Sequence, residues 1–159
     1  MPIAYINIGS NMGNRKALIE QAIAHIELLC NTNVNISPII ESEPWGFEST
    51  NSFLNVGIAI NTFLSPHSLL QELLNIEKSI SSASHRDENG NYIDRQIDID
   101  LIAVDDIIID TPHLQLPHPR MHLRDFVLTP MMHLNKNWVH PILNQTITQL
   151  HQQLHEKDN

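Results

Sequence analysis

The chain is poor in several residue types, and each shortage excludes something. Cysteine occurs once, as Cys30, which rules out an internal disulfide and a thiolate-rich zinc site and suits a reducing cytoplasm. Aromatics are 5% of the 159 residues while hydrophobic residues are 42%, so the core must be built from Ile, Leu and Val, and global disorder is not expected. Basic charge is scarce: nine Lys+Arg against 18 Asp+Glu leave a net charge of −9. With no basic run, non-specific nucleic-acid binding and attraction to an anionic membrane are disfavoured. No apolar stretch approaches the ~18 residues of a spanning helix. Met1-Pro2-Ile3-Ala4 lacks a basic flank before an apolar block, so no signal peptide is expected. Low-complexity linkers and internal repeats are missing as well. The length suits one domain over residues 1–159, and a monomer is expected.

What is present orders itself into alternating elements. Residues 3–9 read as a strand ending in a Gly-Ser-Asn turn. Asn14 caps a helix from about Arg15 to Leu29, with Leu18, Ile19, Ala22, Ile23, Ile26 and Leu29 on one face. Val34 to Glu43 reads as a strand, broken by Pro44-Trp45-Gly46 and a polar loop through Ser52. Phe53 to Phe63 reads as a third strand, and Ser65-Pro66 starts a helix carrying Leu69, Leu70, Leu73, Leu74, Glu77 and Ile80. Residues 81–94 form a long polar loop, a kind that is often functional. Ile97 to Val104 reads as a fourth strand, with Asp106 to Ile109 as a short hairpin partner. A proline-rich turn (116–119), a short helix near Leu123 to Leu128 and a C-terminal helix around Gln145 to Leu154 complete the chain. The fold class is therefore α+β: a ferredoxin-like βαββαβ core, an antiparallel sheet with helices packed on its faces, plus a C-terminal extension.

The segment Arg95-Gln96-Ile97-Asp98-Ile99-Asp100-Leu101-Ile102 carries the most chemistry. Side chains alternate across a strand, so Asp98 and Asp100 share one face and Ile97, Ile99 and Leu101 take the other, toward the core. Two such aspartates sit about 6–7 Å apart at Cα. Their charges repel unless something cationic lies between them. Mg²⁺ suits the pair, because it takes few carboxylates and completes its shell with water and phosphate oxygens. Four of the five arginines, Arg86, Arg95, Arg120 and Arg124, flank this pair in an otherwise acidic chain, as phosphate recognition requires.

With these residues in view, the chain resembles the 6-hydroxymethyl-7,8-dihydropterin pyrophosphokinase family of folate biosynthesis. The resemblance rests on Ala4-Tyr5-Ile6-Asn7-Ile8-Gly9-Ser10-Asn11, on Phe53-Leu54-Asn55, on Glu77 in its helix, and on Arg95-x-x-Asp98-x-Asp100. Leu116-Pro117-His118-Pro119 and Arg124-Asp125-Phe126-Val127-Leu128 complete it. Each piece alone is weak; their order in a chain of this length is specific.

The resemblance implies an ATP-dependent diphosphotransferase that moves the β,γ-pyrophosphoryl group to the hydroxymethyl oxygen of the pterin and releases AMP. It implies that Asp98 and Asp100 bind two Mg²⁺ ions with the nucleotide, and that Arg86, Arg95, Asp98 and Asp100 form the catalytic set. ATP would be held by Glu77, Arg86, Arg95, His113, His118 and Arg124. The pterin would be held by Ser42, Pro44, Trp45, Phe53, Asn55 and Phe126, with Phe53 and Phe126 as a stacking pair and the Asn55 amide pairing the ring edge. Three positions depart from the family pattern. Ser82-Ala83-Ser84-His85-Arg86 stands where a Gly-Arg-x-Arg run is usual, so one loop arginine is missing and His85 lies near its place. His113 stands where some members have arginine, and Phe53 where tyrosine is familiar.

Two other readings compete. His113, His118 and His122 suggest a histidine metal protein, although Pro117 and Pro119 break the helix that would align them. A non-catalytic ferredoxin-like small-ligand-binding module is the second, but a passive sensor has no need of the aspartate pair and clustered arginines.

Overall fold

The computed structural model describes residues 2–30, 34–43, 52–81 and 97–157. Strand β1 (Ile3–Ser10) leads into α1 (Arg15–Glu27), then β2 (Val34–Ile36), β3 (Ile40–Ser42), β4 (Phe53–Asn61) and α2 (Pro66–Ile80). There follow β5 (Asp98–Val104), β6 (Ile109–Asp110), β7 (Gln115–Leu116), a 3₁₀ turn at Met121–Leu123, α3 (Asp125–Asn135) and α4 (Ile147–Lys157). The main sheet runs β2-β4-β1-β5, with β3 also on β4, and every pair is antiparallel. The caps read from sequence are made: Asn14 Oδ1 accepts from Ala17 N at 3.2 Å, and Ser65 Oγ accepts from Ser68 N at 3.2 Å ahead of Pro66.

Both sheet faces are covered, so β1 is buried from Ala4 to Ser10. On one face Ala4, Ile6, Ile8, Val56, Ile58 and Ile60 meet Ile19, Ala22 and Ile26 of α1 and Leu69, Leu73 and Ile76 of α2. On the other, Tyr5, Ala59, Ile102 and Ala103 meet Val127, Leu128 and Met131 of α3, and Ile147 and Leu150 of α4. Trp138 seals that side, its indole N–H donating to the Asp105 carbonyl at 2.9 Å. The two cores share strands because side chains alternate between the faces, and β5 carries a bulge. Ile6 pairs with Leu101 but Tyr5 pairs with Ala103, so Ile102 is the extra residue.

Several elements differ from the sequence expectation. The strand expected over 34–43 is two pieces, because Pro38 has no N–H and Ser37 instead ties itself to Gly57, its N–H to the Gly57 carbonyl at 2.9 Å and its hydroxyl to the Gly57 N–H at 2.8 Å. The hairpin expected at 106–109 does not pair with β5; β6 pairs with β7 in a separate ribbon. Asp105 at φ 46° and the following turn carry the chain off β5 first. The short helix expected near 123–128 runs on to Asn135 through Pro130. A proline inside a helix leaves the carbonyl four residues back without its bond. That carbonyl belongs to Phe126, and the Asn7 side-chain amide donates to it at 2.9 Å. The helix therefore survives its proline because β1 satisfies the freed group.

Pro130 also needs space on the sheet. A Cβ at Gly57 would lie 2.8 Å from Pro130 Cβ and 3.0 Å from Leu134 Cδ1. Gly57→Ala should therefore push α3 off β4 and cost about 1–3 kcal/mol of stability. The check is the urea unfolding midpoint, and an unchanged midpoint would show that α3 is not seated as described.

Candidate functional site

The sheet register sets the site. Asn55, Gly9 and Asp98 lie in one row across β4, β1 and β5, and Gly57, Asn7 and Asp100 lie in the next row on the same face. With strands about 4.8 Å apart, Asn55 and Asp98 are about 10 Å apart at Cα. Gly9 between them has no side chain, and one would crowd its neighbours: a Cβ there would lie 2.9 Å from Asn55 Oδ1 and 3.4 Å from Phe53 Cδ1. The row is thus a bare strip with an amide at one end and a carboxylate at the other.

Around the amide end, Asn55 is 3% exposed and donates through Nδ2 to Ser42 Oγ at 2.6 Å, which fixes the orientation of its carboxamide. Phe53, paired with Ser42 across β3 and β4, is buried on the same face. Phe126 lies in the first turn of α3, held by the Asn7 contact to its carbonyl, and the Arg124 guanidinium sits 5.6 Å from its ring centroid. Ser42, Phe53, Asn55 and Phe126 are therefore gathered on or against one sheet face.

Around the carboxylate end, Asp98 and Asp100 are half-buried and share their face, as alternation predicted, while Ile97, Ile99 and Leu101 join the core. Both aspartates are among the residues that line a cavity of about 440 Å³, with Glu77, His113 and His118. Arg124 Nη1 lies 4.0 Å from Asp100 Oδ2, a loose ion pair that also joins this end to Phe126. Glu77 is a buried residue of α2. It is 8% exposed, and its Oε2 accepts the Ile99 N–H at 2.8 Å, between the two aspartates.

His118 follows Pro117 in the turn beside β5 and donates its backbone N–H to the Ile102 carbonyl at 2.7 Å. Burial, then Arg124 and Arg120, push its pKa down from 6.5 to about 4. The ring is therefore neutral at pH 7. Its Nδ1 accepts the Arg120 N–H at 3.1 Å, which leaves Nε2 as the donor. His113 is exposed on the same cavity. Pro44, Trp45, Arg86 and Arg95, with His85, lie outside the described residues.

Two residues of this region were not singled out from sequence. Asn7 is one polar residue in an apolar strand, and its role depends on Pro130, over a hundred residues away. Arg15 donates to the Ser52 carbonyl and Oγ at 3.0 and 3.2 Å and pairs with Glu41 at 3.5 Å, so it joins β3 to the start of β4. Its lone position outside the arginine cluster was the available signal.

The donor set fits Mg²⁺. Two carboxylates on one strand face are hard oxygen ligands, and the adjoining cavity leaves room for the water and phosphate oxygens such an ion keeps. The arrangement can therefore hold a divalent ion against a polyphosphate, with cationic and neutral hydrogen-bond donors from Arg124 and His118 beside it.

The family model for 7,8-dihydro-6-hydroxymethylpterin-pyrophosphokinase (HPPK) matches residues 5–136. The 2-amino-4-hydroxy-6-hydroxymethyldihydropteridine pyrophosphokinase of Porphyromonas gingivalis is 36% identical over 142 residues, covering 89% of this chain and 95% of that protein. The protein of the same name from Aquifex aeolicus is 35% identical over 147 residues, covering 92% and 89%. Among solved structures, Plasmodium falciparum HPPK-DHPS matches with a TM-score of 0.77 at 16% identity, over 98% of this chain and 45% of that one. That last likeness speaks for the fold, and the sequence matches speak for kinship: the chain belongs to the 7,8-dihydro-6-hydroxymethylpterin-pyrophosphokinase family.

Proposed function

We propose that the chain carries out its family's reaction, transfer of pyrophosphate from ATP to the hydroxymethyl group of 6-hydroxymethyl-7,8-dihydropterin, giving the pterin diphosphate and AMP in folate biosynthesis. The observation that carries this reading is the pair Asp98 and Asp100, on one face of β5, lining a cavity shared with Glu77, His113 and His118, with Asp98 in register with Asn55. The non-catalytic binding-module reading is not favoured, because it leaves the aspartate pair without a task.

In this reading the core is ferredoxin-like, with β2 and β3 together as the second strand of the βαββαβ unit and α3 and α4 as the C-terminal extension. Residues 1–159 form a single domain, acting as a cytoplasmic monomer. Among the described residues no helix is long and apolar enough to cross a membrane.

The roles follow from placement. Asn55, oriented by Ser42, pairs the amide and amino edge of the pterin, and the bare strip at Gly9 lets the flat ring lie against the sheet. Phe53 and Phe126 supply aromatic surface for it, with Pro44 and Trp45 from the loop after β3. Asp98 and Asp100 would hold two Mg²⁺ ions; when bound, these neutralise charge on the transferred group and align the attacking hydroxyl with the β-phosphorus. His118 donates through Nε2, and Arg124 approaches the phosphates from the Asp100 side. His113 contacts the nucleotide at the cavity rim, while Glu77 acts by holding β5. Arg95 holds α- or β-phosphate oxygens, and Arg86 closes over the phosphates from its loop.

Release of AMP from ATP, dependent on the hydroxymethyl pterin, is the direct test; no AMP would overturn the reading. Asp98→Asn and Asp100→Asn should each lower turnover by at least about a hundredfold, since a metal contributes several kcal/mol to the transition state. Circular dichroism should show the fold retained, and full activity in either variant would refute the metal assignment. Gly9→Ala should raise the KM for the pterin several-fold more than the KM for ATP, because the added methyl collides with Asn55. His118 sets an acid limit on stability. Its proton is bound in the unfolded chain below pH 6.5 but in the native state only near pH 4. Its contribution is thus full above pH 6.5 and is lost as pH falls toward 4. The stability difference between wild type and His118→Asn should decline over that window, and a constant difference would contradict the burial of a neutral ring.

A further inference from the structure

The first residue of α3 also meets two histidines of the C-terminal helix. His151 and His155 are four residues apart on α4 and so share a face. Their ring centroids are 4.2 Å apart. His155 Nε2 lies 2.7 Å from Asp125 Oδ1, and His151 Nε2 lies 3.8 Å from the same oxygen. One ligand atom from each of the three residues falls within 4.8 Å of the others. Thr129 Oγ donates to Asp125 Oδ1 at 2.9 Å and lies 3.1 Å from His151 Nε2. The side chains are 27%, 51% and 55% exposed for His151, His155 and Asp125, so an ion can enter from solvent.

We propose that Asp125, His151 and His155 form a second metal site, for a divalent transition ion of the Zn²⁺ kind, separate from the Asp98 and Asp100 pair. Imidazole nitrogen favours Zn²⁺ over Mg²⁺, whereas two bare carboxylates favour the reverse. Tetrahedral zinc with bonds of about 2.0–2.2 Å sets its donor atoms about 3.4 Å apart. The observed 2.7 and 3.8 Å bracket that spacing, and with all three atoms within 4.8 Å of one another rotamer shifts of under about 1.5 Å close the set. Water fills the fourth position.

One proton assignment accounts for the ion-free contacts. His155 Nε2–H donates to Asp125, His151 Nε2–H donates to Thr129 Oγ, and the Thr129 hydroxyl donates to Asp125. On metal binding each imidazole ligates through Nε2 and its proton moves to Nδ1. Thr129 keeps its bond to Asp125 and so orients the carboxylate. The ion joins α4 to the residue between Arg124 and Phe126. Its effect is structural, a clamp on the segment that carries both.

The test uses the full chain, stripped of metal and then held in excess Mg²⁺ so that the aspartate pair is satisfied. Calorimetric titration with Zn²⁺ should show one ion per chain, and saturating Zn²⁺ should raise Tm by a few degrees. Asp98→Asn/Asp100→Asn should keep both responses, which separates this site from the proposed catalytic one. His155→Ala should weaken Zn²⁺ at least tenfold, and His151→Ala/His155→Ala should abolish the Tm response. Equal Zn²⁺ affinity in wild type and the histidine variants, no binding by wild type, or loss of binding in the aspartate variant would each overturn the proposal. Should the double variant not fold, His155→Ala alone decides, since that side chain is half exposed.

Discussion

The bond from Asn7 to the Phe126 carbonyl is the constraint on which the site geometry hangs. Pro130 removes the helical partner of that carbonyl, and a buried carbonyl without a partner is costly. The replacement donor must come from the sheet, and it must come from the residue in register with both Gly57 and Asp100. Three neighbours in one row thereby have linked tasks. Gly57 gives Pro130 room, Asn7 replaces its missing bond, and Asp100 faces the Arg124 that precedes the same helix. All three contacts therefore bear on the start of α3, and with it on Arg124 and Phe126.

A second constraint acts at the other side of β5. Among the described residues that strand pairs with β1 alone, so its outer edge needs covering. Glu77 supplies a carboxylate to the Ile99 N–H, and a buried carboxylate is tolerated only where donors meet it. Ile99 lies between the two aspartates, so the bond that closes the edge also anchors the backbone that carries them.

Much of this was legible in the sequence, for a physical reason. Period-2 alternation in Ile97 to Leu101 is a local property, and local properties survive folding, so the aspartate face was readable without any partner strand. The caps at Asn14 and Ser65 were local too. What escaped reading was set by distant contacts. The persistence of α3 through Pro130 depends on Asn7, and the burial of Glu77 depends on an edge strand some twenty residues on. The break in the second strand was signalled by Pro38, but a single proline is also compatible with a continuous edge strand. The ribbon of β6 and β7 was misassigned because the left-handed turn at Asp105 is invisible to composition. The His151 and His155 pair was visible at helical spacing, yet only the packing of α4 against α3 supplies Asp125 as a third ligand.

The order of groups across the sheet also explains how one small face can serve two dissimilar ligands. On the reading proposed above, a flat ring pinned at Asn55 would extend along its row, over Gly9 toward β5. Among the described residues, Ser42 and Phe53 adjoin Asn55, and α3 begins over the next row. A substituent leaving the ring in that direction arrives near Asp98 after about 10 Å, the width of two strand spacings. The nucleotide must then enter from beyond β5, where His113 and His118 line the cavity. On that reading the two ligands would approach from different sides and meet near the carboxylates, with strand spacing setting the distance and register the direction.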